Sequence, residues 1–443
     1  MNPILINGEY ANATVYSDNL QEDAKCTLCS ILNCKAMCGS NVAVMPDVHY
    51  AGTCVVGFTS TVAARVIPAL VGGDIGCGVL CAEVSLSCSL SDDFFKRLDN
   101  IIHEYIPAGE RTNSNNLQQE MHLAAVSASF RSNYSDKKVN IDQLQKLFLK
   151  THSKTSLGSL GSGNHFIELN KSSASIFMTI HTGSRQLGVS VNKYHCNRAI
   201  PNNYVIDYKH IMEEIIEGKE TKVPMHLRDF QRDLIQELRQ RGMESSIKSR
   251  MKLIQWEPCT EEYGYLENEG KEEYTQDLII AQQFASLNRY MILKNITDNM
   301  PDMKIINVFE STHNYLEDNI IRKGAIKAEG RIIIPINARE GVIIGQGIPK
   351  AEWNYSAPHG AGRRLKRKDR ISLEDYQKEM VGIYSTTVCS ETADEAPGMY
   401  KTWHDVGEWV QQVIQIEQTA NTLQLQRREM KLLQLIYHNM IQE

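Results

Sequence analysis

The sequence predicts an α+β protein, and three observations carry that expectation. Apolar, β-branched runs punctuated by Gly, Pro and Asp gather at residues 42–84, 176–180 and 304–335. Between them, residues 204–300 are polar and helical, with Leu278, Ile279, Ala281, Phe284, Ala285 and Leu287 spaced to form one buried face. Residues able to hold a metal or move a proton stand repeatedly just past a strand-like run, where a scaffold presents chemistry.

Bulk properties bound the possibilities. A chain of 443 residues can form one large domain or two to three ordinary ones. Its 42% hydrophobic and 23% charged content is that of a folded globular protein rather than a disordered one. The formal net charge of −6 gives no overall basic signature, so contact with nucleic acid needs a local basic surface. Residues 1–10 lack a secretory signal, and no run of roughly 18 apolar residues occurs, so a cytoplasmic protein without membrane contact is expected. Eleven cysteines, an odd number, suit reduced thiols better than a disulfide framework.

In chain order, Cys26, Cys29, Cys34 and Cys38 come first. Four thiols could form a structural zinc set, but residues 23–37 have no Gly or Pro for a knuckle and read as a helix carrying its cysteines. Next, residues 42–52 read as a short strand entering a turn that holds Asp47 and His49. Strands are expected at 54–62, 66–71 and 79–84. Between the last two lies Val71-Gly72-Gly73-Asp74-Ile75-Gly76-Cys77-Gly78, in which glycines permit close backbone approach. Asp74 and Cys77 there can aim an oxygen and a sulfur at one metal ion; the plainer alternative is a tight turn with a structural cysteine.

Helical text follows at 91–105 and 140–152. Residues 157–168 form a Gly- and Ser-rich loop whose N–H groups suit phosphate oxygens and whose exit bears Asn164 and His165. A strand at 176–180 delivers His181, another at 304–309 delivers His313, and a third is expected at 331–335. Taken singly, each His is more often a satisfied structural histidine. His359, between Pro358 and the turn Gly360-Ala361-Gly362, precedes Arg363, Arg364, Lys366 and Arg367, as a nucleophile beside a phosphate-binding patch would. The basic residues within 228–252 are mixed with acids and read as a solvated face.

The ordered set Met45-Pro46-Asp47-Val48-His49, Gly73-Asp74-Ile75-Gly76-Cys77-Gly78, Gly161-Ser162-Gly163-Asn164-His165-Phe166-Ile167-Glu168, His181-Thr182-Gly183-Ser184-Arg185, His313-Asn314, Arg322-Lys323-Gly324-Ala325 and His359-Gly360-Ala361-Gly362-Arg363 resembles the RtcB family of RNA-splicing ligases. The resemblance runs from residue 41 to residue 401 and includes residues 281–289 of the helical middle. It implies one RtcB-like domain over 1–443, with strand ends converging on a dimetal site. It further implies two manganese ions bridged by Cys77, one held also by His165 and His181, the other by Asp74 and His313. By the same likeness His359 carries GMP taken from GTP, with Asp47 orienting it. Asn164, His165, Phe166, Ile167, Glu168, His313, Asn314, His359, Gly360, Ala361 and Gly362 would then line the nucleotide site. The substrates implied are RNA 3′-phosphate or 2′,3′-cyclic phosphate ends and 5′-hydroxyl ends. Arg185, Arg363, Arg364, Lys366 and Arg367 are candidates for gripping RNA phosphates, and an activating partner such as archease belongs to the same set of expectations.

The chain departs from the family pattern in places. After Asp47 it reads His49-Tyr50-Ala51-Gly52-Thr53 instead of Gly-Lys-Gly text, and Ile334-Pro335-Ile336-Asn337-Ala338-Arg339 replaces Pro-Gly-Ser-Met. Val342 replaces a nucleotide-contacting serine, and Lys366 replaces another serine. No residue matches the terminal lysine that reads guanine; a helical tail over 405–443 is expected instead. Two rival functions therefore stand beside ligation: a nucleotidyl transferase that caps RNA 3′-phosphates without sealing, and a non-catalytic, metal-dependent RNA binder.

Overall fold

The computed structural model describes residues 2–109, 140–153, 156–200, 207–224, 227, 230–257, 263–366 and 368–426. Two sheets of the mixed α+β fold build the site. A six-stranded sheet runs Ile4–Asn7, Asn12–Val15, Val42–Tyr50, Val55–Thr61, Ile320–Lys323, Asn314–Glu317. A seven-stranded antiparallel sheet runs Met303–Thr312, Gly78–Leu86, Ile176–Thr182, Phe166–Lys171, Ile414–Gln426, Gly341–Gly347, Arg331–Asn337. This second sheet curls until its two ends meet, the Ile333 N–H donating to Ser311 Oγ at 3.0 Å.

Alternation along the strands explains the curl. Val79, Cys81, Phe177, Ile333, Val342, Ile344 and Ala420 fill its interior. Leu80, Ala82 and Val84 point outward, onto the helix Asp92–Tyr105 and onto Ile292, Leu293 and Ile296 of the helix Asn268–Asn299. That 32-residue helix also sends Tyr274, Leu278, Ala281 and Phe284 into the core under the six-stranded sheet, and so ties the two sheets together. The helices expected at 91–105 and 140–152 form as Asp92–Tyr105 and Ile141–Thr151, capped by Ser91 and Asn140, which accept from Phe94 N and Gln143 N.

Three expectations are corrected. Residues 66–71 are not a strand: only Arg65–Val66 pairs, and Pro68–Val71 forms a helical turn with Pro68 at its first position, where a missing N–H costs nothing. A short apolar run does not distinguish a buried helical turn from a buried strand. Asp47 lies inside the strand Val42–Tyr50, not in a turn beyond it, because the ladder with Val55–Thr61 skips from Val44 to His49 and accommodates Pro46 in the gap. Among the described residues of the tail, helix is confined to Trp403–Val410, and Ile414–Gln426 is a strand between Phe166–Lys171 and Gly341–Gly347. Its Ile414, Ile416, Thr419 and Thr422 favour extended backbone, and pairing on both sides satisfies it. Residues 427–443, the rest of that expected tail, lie outside the described residues.

The cysteine-rich segment forms the helix Glu22–Leu32 and a short 3₁₀ turn, Lys35–Met37, with Cys34 buried and Cys26 and Cys38 exposed. Among the described residues the groups placed to share a metal do not include these thiols. No helix among the described residues is long and apolar enough to cross a membrane.

Candidate active site

Sheet register assembles the candidate metal ligands. Gly78 pairs with Thr182 on one side and Thr312 on the other, so Cys77, His181 and His313 fall side by side at one end of the curled sheet. Phe166 pairs with His181, which places His165 next to them. His313 links Met303–Thr312 to Asn314–Glu317, and the centre therefore sits where the two sheets join. Gly76 has φ +70° and packs so closely on the helix at Gln282 and Ala285 that a side chain there would clash.

The ligand atoms converge. Cys77 Sγ lies 3.3 Å from His181 Nε2 and 3.5 Å from His165 Nε2; His165 Nε2 is 3.4 Å from Asp74 Oδ2 and His181 Nε2 is 3.3 Å from His313 Nε2. These contacts form two sets that share the thiol, Cys77–His181–His313 and Asp74–Cys77–His165. The contacts bring together all five residues named as candidate ligands.

Chemistry of the donors fits a cation. His181 Nδ1 donates to Asn164 O at 3.1 Å, so its Nε2 presents a lone pair inward, and His165 Nδ1 donates to Leu160 O at 2.9 Å, which turns its Nε2 toward Asp74 and Cys77. Burial pushes the His181 and His313 imidazoles well below their usual range and keeps them neutral. Burial raises the Cys77 thiol well above its usual range, and neighbouring Asp74 adds to this. Desolvation works against the Asp74 charge, but the hydrogen bond and charge of His165 outweigh it and hold that carboxyl below the ordinary range. Facing lone pairs repel unless a proton or metal lies between them, and a mixed Asp, Cys and His set suits a divalent transition metal.

Opposite this cage stands His359, at the end of the strand Ser356–Pro358, its ring centroid 4.5 Å from that of His313. Fully buried Asp47 accepts from His359 Nδ1 at 2.7 Å, which leaves Nε2 with its lone pair. Lys401 Nζ donates to Pro46 O at 2.9 Å and Val48 O at 3.3 Å, bracketing Asp47. Gly362, at φ +81°, passes so close to the Asp47 carbonyl that a side chain would collide with it.

Two adjoining cavities share His49, Asn164, His313, His359 and Arg363. A narrow one of about 100 Å³ is lined by Asn164, Phe166, Glu168, His313, Gly360, Ala361, Gly362 and Tyr400. The Pro335-Ile336-Asn337-Ala338 segment forms its divergent wall. A wider one of about 630 Å³ takes in Asp74, Cys77, Asn314 and Lys323 and opens past Tyr50, Leu365, Lys366 and Lys368. Two of the expected nucleotide-site residues line neither cavity: His165 turns into the ligand cage, and strand alternation turns Ile167 into the core behind the sheet.

The expected RNA contacts divide. Arg363 is turned inward, 4% exposed, donating to Asp394 O at 2.6 Å, paired with Glu395 at 3.3 Å and packed on Tyr400. Arg185 lies against Gly161 and donates to Gly109 O at 3.1 Å. Arg364 and Lys366 are exposed, Lys366 pairing with Asp23 at 2.6 Å, while Arg367 lies outside the described residues. His49, Lys323 and Lys401 stand at the site without having been singled out as site residues, although His49 and Lys323 belong to motifs the sequence displayed and residue 401 closes the stretch of resemblance.

A cage of soft and hard donors beside a carboxylate-held imidazole, on an α+β scaffold, is a candidate metal centre of an enzyme. The profile of the family described as tRNA-splicing ligase RtcB matches residues 31–426, and the chain belongs to that family. It is similar to the RNA-splicing ligase RtcB of Escherichia coli K12, 26% identical over 391 residues, 82% of this chain and 83% of the relative. It is likewise similar to the tRNA-splicing ligase RtcB of Pyrobaculum aerophilum, 24% identical over 450 residues and 84% of each chain. A third relative, the tRNA-splicing ligase RtcB of Methanococcus maripaludis, is 23% identical over 470 residues and 88% of each.

Proposed function

We propose that this protein is a GTP- and manganese-dependent RNA ligase that joins 3′-phosphate or 2′,3′-cyclic phosphate ends to 5′-hydroxyl ends through a guanylylated His359. The observation that carries the reading is the 2.7 Å bond from His359 Nδ1 to buried Asp47, which frees Nε2 beside the ligand cage. Asp74, Cys77, His165, His181 and His313 would hold two manganese ions, which when bound neutralise phosphate charge.

The rest is assigned to the chain. His359 Nε2 attacks the α-phosphorus of GTP, the bond to pyrophosphate breaks, and Asp47 balances the charge that develops at the Nδ1–H. An oxygen of the RNA 3′-phosphate then takes GMP from His359 and frees Nε2 for another cycle. The RNA now has a leaving group, and an incoming 5′-hydroxyl displaces GMP to seal the strand. A cyclic phosphate end is first hydrolysed at the same site, water adding to phosphorus as the bond to the 2′-oxygen breaks, which leaves the 3′-phosphate and a 2′-hydroxyl. Phe166, Glu168 and Tyr400 wall the narrow cavity as a nucleotide pocket, while Lys323, Lys366 and Lys368 line the wider one as RNA-phosphate contacts. Arg364, exposed next to the lining residue Leu365, remains a candidate.

The test is incubation with manganese and α-labelled GTP or ATP, wild type against His359→Ala, followed by RNA ending in 3′-phosphate and 5′-hydroxyl. Label taken from GTP alone, absent in the variant and chased into sealed RNA, is expected. Capped but unsealed RNA would favour the transferase, and no label from either nucleotide would favour the non-catalytic binder.

A further inference from the structure

The helical segment 281–289 contributes no side chain to either the ligand cage or the two cavities. Yet every residue from Phe284 to Leu293 is buried, including Ser286, Asn288 and Arg289. A wholly buried guanidinium needs partners for its N–H groups and its charge.

Arg289 finds them at the site's backbone. Its Nε and Nη2 donate to Glu310 Oε2 at 3.1 and 2.9 Å, and Nη2 also to Ser286 Oγ at 3.2 Å. Its Nη1 donates to Gly76 O and to Thr182 O, both at 2.8 Å. Gly76 immediately precedes Cys77 and Thr182 immediately follows His181. Asn288 completes the pattern: Oδ1 accepts from Gly158 N at 2.7 Å and Ser159 N at 3.2 Å, and Nδ2 donates to Ser159 O at 3.0 Å and Gly183 O at 3.2 Å. The loop so held presents Leu160 O, the acceptor that orients His165.

We infer that Asn288 and Arg289 are positioning residues that lock the Cys77, His165 and His181 loops to one another and thereby set the geometry of the metal centre. The inference rests on the metal-centre reading above. The planar fork of arginine bonds two carbonyls through Nη1 while Nε and Nη2 pair the carboxylate on its other side; the single nitrogen of a lysine cannot span both.

The experiment uses the full chain with cobalt(II) or manganese(II) alone as the probe. Arg289→Lys, Asn288→Ala and a control, Asp277→Asn, are compared after far-UV circular dichroism has verified folding. Asp277 lies on the same helix, bonded to His195 at 2.7 Å, away from the ligand loops. In Arg289→Lys and Asn288→Ala, metal affinity should fall about 10- to 100-fold and the thiolate-to-cobalt absorption should shift or weaken. Asp277→Asn should keep the wild-type spectrum while melting at lower temperature. Wild-type affinity and spectrum in both folded site variants would overturn the clamp, as would an equal loss in Asp277→Asn. A wild type that takes up neither metal would overturn the metal-centre reading and the clamp with it.

Discussion

At the scale of single residues, Asp47, His359, Gly362 and Lys401 form a chain of dependence. Lys401 holds the carbonyls on either side of Asp47, and Asp47 holds the imidazole. Burial pulls the Lys401 ammonium below its usual range, with Asp47 acting in the opposite sense, so its charge depends on its neighbours. Lys401→Met should slow His359 guanylylation on the order of 10-fold, measured as initial label uptake, with the fold intact. Gly362→Ala adds a left-handed strain of roughly 1–3 kcal/mol and a collision with Asp47, and should nearly abolish label uptake. Metal uptake should depend on pH in a defined direction. His181 and His313 are already neutral near pH 7, whereas the raised Cys77 thiol must lose its proton to bind. Affinity should therefore rise with pH, by about tenfold per unit for one proton released. In Cys77→Ala that dependence should disappear along with most of the binding, as read by titration with manganese.

Among elements, the strand Ile414–Gln426 deserves its own test because it joins two halves of the curled sheet. Ending the chain at Val413 should leave Gly341–Gly347 and Phe166–Lys171 with open edges and yield aggregated protein, measured as the soluble fraction after expression. Ser91→Ala, by contrast, removes one cap and should cost about 1 kcal/mol without changing label uptake. The helices at 92–105 and 141–151 and the alternating strands were legible because local chemistry selects them. The turn Pro68–Val71 and the strand Ile414–Gln426 were not, since an apolar spacing of three or four residues can be read either way until a partner strand is known.

For the whole molecule, an acidic chain must bind an anionic polymer through a local surface. Lys323, Lys366 and Lys368 line the wide cavity, but Lys366 is already paired with Asp23. RNA affinity should fall with salt, and Lys368→Ala should flatten the log–log slope by about 0.7, the value for one phosphate contact on a single strand. Lys366→Ala should flatten it less, because its charge is partly spent; both slopes come from binding titrations across salt concentrations.

The sequence by itself determined the inventory: which residues can hold a metal, which histidine follows a proline and precedes a glycine turn, and the family to which their order belongs. Those are properties of residue type and spacing, readable one motif at a time. Only the tertiary structure decided how they meet. Register around Gly78 brings Cys77, His181 and His313 together across more than two hundred residues of chain. Packing turned Arg363 inward onto Glu395 and turned Ile167 away from the narrow cavity into the core. It also placed Asn288 and Arg289 behind the ligands, a role no local pattern announces, because a buried polar side chain takes its meaning from the backbone groups that surround it.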